Sequence, residues 1–97
     1  MTGATMKEYH IEQYLVKMVK HHKGEIRKVQ WIGRAHAMDR FVALNGVWLV
    51  ELKRPNGVER PGQIRERIRL TKHGVRCRVI NSLEGVDDFI AEVLTCA

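Results

Sequence analysis

Asp39-Arg40-Phe41-Val42-Ala43-Leu44-Asn45-Gly46-Val47-Trp48-Leu49-Val50-Glu51-Leu52-Lys53 is the stretch that decides how this chain folds. Two apolar-rich runs, 39–44 and 47–53, flank Asn45-Gly46, a strong short-range hairpin signal because both residue types tolerate positive φ. Loop length then sets the register. A two-residue turn pairs Leu44 with Val47, puts Arg40 opposite Glu51 and points Asp39 away from it. A three-residue loop of Leu44, Asn45 and Gly46, closed by Gly46 in the left-handed conformation, puts Asp39 directly across from Glu51. Cross-strand partners on one face have Cβ atoms ~5 Å apart, near enough for two carboxylates to share one cation. The three-residue loop, or an equivalent bulge, is the register expected here.

The end of the second run carries the chemistry. Side chains alternate along a strand, so Glu51 and Lys53 share a face while Leu52 turns into the core. With Asp39 they form the layout of a metal-dependent nuclease site, in which acidic oxygens hold a hard cation and an amine serves the attacking water or the strained phosphate. A turn acid and a neutralising strand-end pair would read the same way in isolation. The pattern is short and recurs by chance, so its surroundings decide its meaning.

Those surroundings divide cleanly. Thr5 and Glu8 have capping-box spacing, and Ile11, Tyr14, Leu15, Met18 and Val19 recur at helical spacing until Gly24. At about 100° per residue, Glu8 and Glu12 fall near that apolar stripe, away from Lys17 and Lys20. Capping accounts for Glu8; no local duty accounts for Glu12. A strand over Glu25–Ile32 and a loop through Gly33-Arg34-Ala35-His36 lead into the hairpin. Beyond it, Arg54-Pro55-Asn56-Gly57 reads as a loop, and Pro61 opens a helix to about His73, closed by Gly74. Ile64, Ile68 and Thr71 are expected to face the sheet, with Gln63 in the first turn. A strand over Val75–Asn81 follows, and Ser82 caps a last helix with Leu83, Val86, Phe89, Ile90 and Val93 on one face. The order is α-β-β-β-α-β-α. A helical crossover between the third and fourth strands permits parallel pairing and a mixed sheet covered by helices.

Ninety-seven residues, 44% of them hydrophobic, make one domain spanning 1–97 with a modest core. Its 17 Lys and Arg against 11 Asp and Glu give a net charge of +6, spread along the chain. Polyanions are the expected partners, met by a basic face of Arg27, Lys28, Arg34, Arg40, Arg54, Arg60, Arg65 and Lys72. Cys77 and Cys96 have neither metal-ligand spacing nor a disulfide framework and read as free thiols. No run approaches the ~18 apolar residues of a membrane span, nor does the N-terminus have a signal-peptide core, so a cytoplasmic location is expected. HEXXH, P-loop and paired Cys/His patterns are absent, which leaves protease, NTPase and zinc-finger readings without support.

Glu12 on the first helix, Asp39 opening the second strand, Glu51-x-Lys53 on the third and Gln63 opening the next helix resemble the restriction-endonuclease-like PD-(D/E)XK superfamily. Within it, Ile11-Glu12-x-x-Leu15, Gly33-Arg34, Asp39-Arg40, Val50-Glu51-Leu52-Lys53-Arg54-Pro55, Gly57, Gln63 and Val79-Ile80-Asn81-Ser82 are similar to the small stand-alone VRR-NUC (virus-type replication-repair nuclease) domains of phages and bacteria. The likeness spans nearly the whole chain. One departure stands out: the family usually has Gly-x-Pro-Asp before the second strand, and here His36-Ala37-Met38-Asp39 takes its place. That bears on loop geometry more than on chemistry, since proline only stiffens the approach to the acid; His36 reads as a loop histidine.

The resemblance implies an α/β, restriction-endonuclease-like α-β-β-β-α-β core with a C-terminal helix. It implies Asp39 and Glu51 as ligands of Mg²⁺ or Mn²⁺, the Leu52 carbonyl completing the shell, and Glu12 reaching the metal directly or through water. Lys53 would orient or deprotonate the attacking water, and Gln63 would position Lys53 or a phosphate. The implied activity is endonucleolytic cleavage of branched DNA, four-way junctions or flaps, by a homodimer acting in DNA repair within a bacterial host cell. A non-catalytic basic DNA-binding module is the alternative from another class. A site-specific restriction enzyme would need base-reading elements for which so short a chain has little room.

Overall fold

The described residues of the computed structural model are 7–95. They form α1 (Glu8–His21), β1 (Glu25–Lys28), β2 (Arg40–Ala43), β3 (Val47–Leu52), α2 (Pro61–Lys72), β4 (Arg76–Ile80) and α3 (Leu83–Thr95). This is the expected order, and it is a restriction-endonuclease-like α/β fold. The strands lie in the order β1-β2-β3-β4; the first two pairings are antiparallel and β3 with β4 is parallel. Antiparallel neighbours need only tight links, whereas the parallel pair needs the α2 crossover.

The hairpin adopts the three-residue register. Ala43 pairs with Val47 and Arg40 with Val50, leaving Leu44, Asn45 and Gly46 as the loop. Both Asn45 (φ 49°) and Gly46 (φ 122°) have positive φ; Asn45 is the residue in the left-handed region, where Gly46 was expected. Asn45 Nδ2 also donates to the Val93 carbonyl at 2.8 Å, which ties the loop to α3.

The two sheet faces differ. On one, Val42, Trp48, Val50, Leu52 and Ile80 pack against Ile11, Leu15 and Val19 of α1 and Val86, Phe89, Ile90 and Val93 of α3. Trp48 meets Phe89 edge-on at 5.5 Å between centroids, a favoured aromatic arrangement. The Ser82 cap of α3 forms as expected, with Gly85 N–H donating to Ser82 Oγ at 2.8 Å. The other face holds a smaller cluster of Met38, Leu49 and Cys77, flanked by Phe41, Leu70 and Val75. Cys77 is a free thiol, while Cys96 lies outside the described residues. Among the described residues no helix is long and apolar enough to cross a membrane.

Three local expectations change. The β1 strand stops at Lys28, well short of Ile32, and residues 29–39 form a loop that rejoins the sheet where Val29 N–H donates to the Asp39 carbonyl at 2.8 Å. Glu8 is the first residue of α1, so it is not the third residue of a capping box; Thr5 lies outside the described residues, and the backbone N–H of Lys7 is bonded instead by His10 Nδ1 at 3.1 Å. Finally, α2 is rotated from the expected face. Gly62 and Glu66 are buried, whereas Ile64 and Ile68 are 37% and 56% exposed and Thr71 is exposed. Arg34 and Arg69 both pair with Glu66, so charge compensation lets an acid take the inward position that apolar periodicity assigned to isoleucine.

Candidate active site

The parallel pairing of β3 with β4 continues past Leu52, where Lys53 N–H donates to the Ile80 carbonyl at 2.8 Å. Strand alternation therefore persists through the catalytic candidates. Leu52 is buried in the core with 2% exposure, and Glu51 and Lys53 emerge on the opposite face with side chains 14% and 17% exposed. Continuing the β2–β3 register one step beyond Arg40–Val50 sets Asp39 across from Glu51, with its side chain 44% exposed at the sheet end.

Gln63 joins this face from the first turn of α2. Its Oε1 accepts from Lys53 Nζ and from the Arg60 backbone N–H, both at 2.9 Å, and its Nε2 donates to Glu51 Oε2 at 3.4 Å. One amide therefore holds both the acid and the amine. Lys53 Nζ stands 3.6 Å from Glu51 Oε2, so the pair is electrostatic and the shorter bond goes to Gln63.

Glu12 is reached through Arg40. That arginine is 4% exposed; its Nε and Nη2 lie 2.8 and 2.7 Å from Glu12 Oε2. Its Nη1 sits 2.7 Å from Asp39 Oδ1 as an ion pair without hydrogen-bond geometry. Arg40 was expected on the DNA-binding surface; it is instead an internal clasp between α1 and β2. Its inward position was readable from the chosen register, which sets it opposite Val50 on the core face, beside the acid that lacked a partner. The basic candidates Lys28, Arg54, Arg60, Arg65 and Lys72 are exposed, Arg27 is exposed beside Glu25, and Arg34 pairs with Glu66 while half-exposed.

Glu51 carries the electrostatic signature of the site. Burial pushes its carboxyl above the ordinary range and the charge of Asp39 pushes it further, with a smaller contribution from Glu8, while Lys53 opposes them. Glu8, read from sequence as a cap, thus contributes negative potential here. Among the described residues no three His, Cys, Asp or Glu side chains converge into a ready cage. Two facing carboxylates nevertheless suit Mg²⁺ or Mn²⁺, since Mg²⁺ is held by one or two carboxylates plus water and substrate phosphate, whereas a Zn²⁺ or Ca²⁺ cage needs more protein ligands.

Beside Asp39 the 29–39 loop borders an open cavity of about 530 Å³ lined by Lys28, Trp31, Arg34 and His36 among others. His36 has φ 67° and its ring packs so closely on Gly62 that a Cβ there would lie 2.6 Å from its Cδ2. It is an exposed loop residue, as expected, whose ring lies against Gly62.

A solved VRR_NUC domain is 34% identical in sequence to this chain and superposes with a TM-score of 0.80, covering 91% of this chain and 97% of the other. No protein-family model matches the chain. Nor does any curated protein.

Proposed function

The chain belongs to the VRR-NUC family of nuclease domains, and on that premise we propose that it is a divalent-metal-dependent endonuclease that hydrolyses phosphodiester bonds in branched DNA, four-way junctions foremost. The observation that carries this reading is the single amide of Gln63 holding Glu51 and Lys53 on the face where the register brings Asp39. A structural ion pair has no need of that third group. It fits a site that must keep an amine beside an acid without letting the two collapse together.

Asp39 and Glu51 would hold Mg²⁺ or Mn²⁺, with the Leu52 carbonyl and Glu12 as further candidate ligands, Glu12 direct or through water. Such an ion supplies polarisation of the phosphate and a water of lowered pKa. Lys53 Nζ orients the attacking water, and Gln63 keeps that amine in place. Exposed Arg54, Arg60, Arg65 and Lys72 contact phosphates, which position a duplex without reading its bases. A homodimer belongs to the same proposal, because a two-fold pair presents two sites to symmetry-related strands of a junction. Ile64 and Ile68, one turn apart and solvent-facing on α2, are apolar surface that such pairing would cover.

The net charge of +6 also fits one alternative, a basic DNA-binding module without catalysis. Labelled four-way junction, flap and linear duplex incubated with the protein, with and without Mg²⁺ or Mn²⁺, separate the two readings. Metal-dependent cleavage of the branched forms is expected; salt-sensitive binding with no cleavage of any substrate would replace the nuclease with the module.

A further inference from the structure

We infer that the cavity beside Asp39 receives one unpaired nucleobase, stacked on Trp31, and so selects DNA that offers a nucleotide outside the double helix. The inference rests on the DNA reading above and extends it to the means of recognition. The cavity, about 530 Å³, lies within the ~300–1,000 Å³ of small-ligand sites and has room for a nucleotide. Trp31 is 40% exposed, and its indole N–H is already bonded to the Met38 carbonyl at 2.7 Å. The ring is thus fixed in place and its polar atom satisfied, leaving an aromatic surface available for stacking.

Charge and position identify the occupant. Lys28 and Arg34 line the same cavity, so a base on Trp31 would have its phosphates among cations. Asp39 lines it too, so the cavity adjoins the proposed cleavage site at that acid. Ile32, 99% exposed at the turn next to Trp31, adds an apolar tip of the kind that separates stacked bases. A fully paired linear duplex keeps its bases within the stack and cannot fill such a cavity; a single strand, or a branch point whose bases have come unpaired, can.

The test uses the whole protein with metal chelated, a ten-nucleotide oligothymidine and a linear duplex of the same length. Trp48 is 1% exposed against Phe89, so an emission change on adding oligothymidine reports Trp31. The wild type should show that change. Trp31→Ala should weaken oligothymidine binding by roughly tenfold and leave duplex binding within about twofold. Trp31→Phe keeps a stacking face but lacks the N–H bond to Met38, so binding should survive while the emission response disappears. Equal losses on both DNAs, a Phe variant as weak as the Ala variant, or single-strand binding with silent Trp31 emission would each overturn the inference. Single-strand binding with the expected Trp31 signature but no cleavage in Mg²⁺ would uphold this site and remove the nuclease reading alone.

Discussion

Lys53 Nζ donates to Gln63 Oε1 at 2.9 Å, although the carboxylate of Glu51 stands only 3.6 Å away. The amide therefore restrains the amine from closing onto the acid. Gln63→Ala removes that restraint, and cleavage should fall by about 10- to 100-fold, the usual consequence of displacing a reacting group by about 1 Å. Lys53→Ala should abolish cleavage and leave DNA binding nearly intact. Single-turnover rates on a four-way junction, with binding measured in chelator, check both; full cleavage by Lys53→Ala would remove that residue from the mechanism.

Glu51 predicts a stability change opposite in sign to its activity change. Its folded-state pKa is raised by burial and by Asp39, so the protonated form is the one the metal-free fold favours. Stability from this group is present below the unfolded value and lost as pH rises through the raised folded value. At neutral pH the ionised carboxylate is a burden on the fold. Glu51→Gln should raise the melting temperature without metal by a few degrees, roughly 2–5 °C for a domain this small. The gain should shrink as pH falls below the raised value. Added Mg²⁺ or Mn²⁺ should stabilise the wild type and not the variant, whose cleavage should be lost. Calorimetric scans across pH, with and without the ion, measure all three outcomes.

Arg40 joins two acids from different elements, Glu12 of α1 and Asp39 beside β2. Arg40→Met preserves bulk but leaves both acids without their cation, and it should lower stability by about 2–4 kcal/mol. The loss comes mainly from stranding Glu12, whose side chain is 32% exposed. In the Arg40→Met background, Glu12→Gln should therefore recover part of that loss, although in the wild type it is destabilising. Arg40→Lys should recover little, because an ammonium cannot reproduce the fork that reaches both partners. Denaturant midpoints for the four members of this cycle give the coupling directly.

How much of this was legible in the sequence follows from how local each cause is. The hairpin register could be read because Asn45-Gly46 and strand alternation act over a few residues, and it carried Asp39 to Glu51 with it. Glu51, Lys53 and Gln63 likewise follow from one strand end and one helix start. The face of α2 could not be read that way. Its burial of Glu66 over Ile64 depends on Arg34, 32 residues upstream, and on Arg69. Nothing in helical periodicity contains such a long-range pair. Glu8 misled for a related reason: capping spacing is a local signal, and the actual helix start at Lys7 depended on His10. The Trp31 cavity was hidden because residues 29–32 have strand-like composition and leave the sheet only in three dimensions.

Gly62 and His36 give a prediction whose size depends on background. The His36 ring lies where a Gly62 side chain would go, with Nε2 and Cγ at 2.8 and 2.9 Å from an added Cβ. Alanine in a helix is otherwise favoured over glycine by roughly 0.5–1 kcal/mol. That gain should be offset in the wild type, leaving Gly62→Ala close to neutral, since the ring of the exposed His36 has to swing aside. It should also disturb cleavage, because the same loop carries Asp39. When His36→Ala has removed the ring, Gly62→Ala should become stabilising by about 0.5 kcal/mol as intrinsic helix preference reasserts itself. Urea midpoints of the two singles and the double decide this. A Gly62→Ala effect of the same size in both backgrounds would mean that the ring does not hold Gly62 in place, and that position would then need another explanation for its glycine.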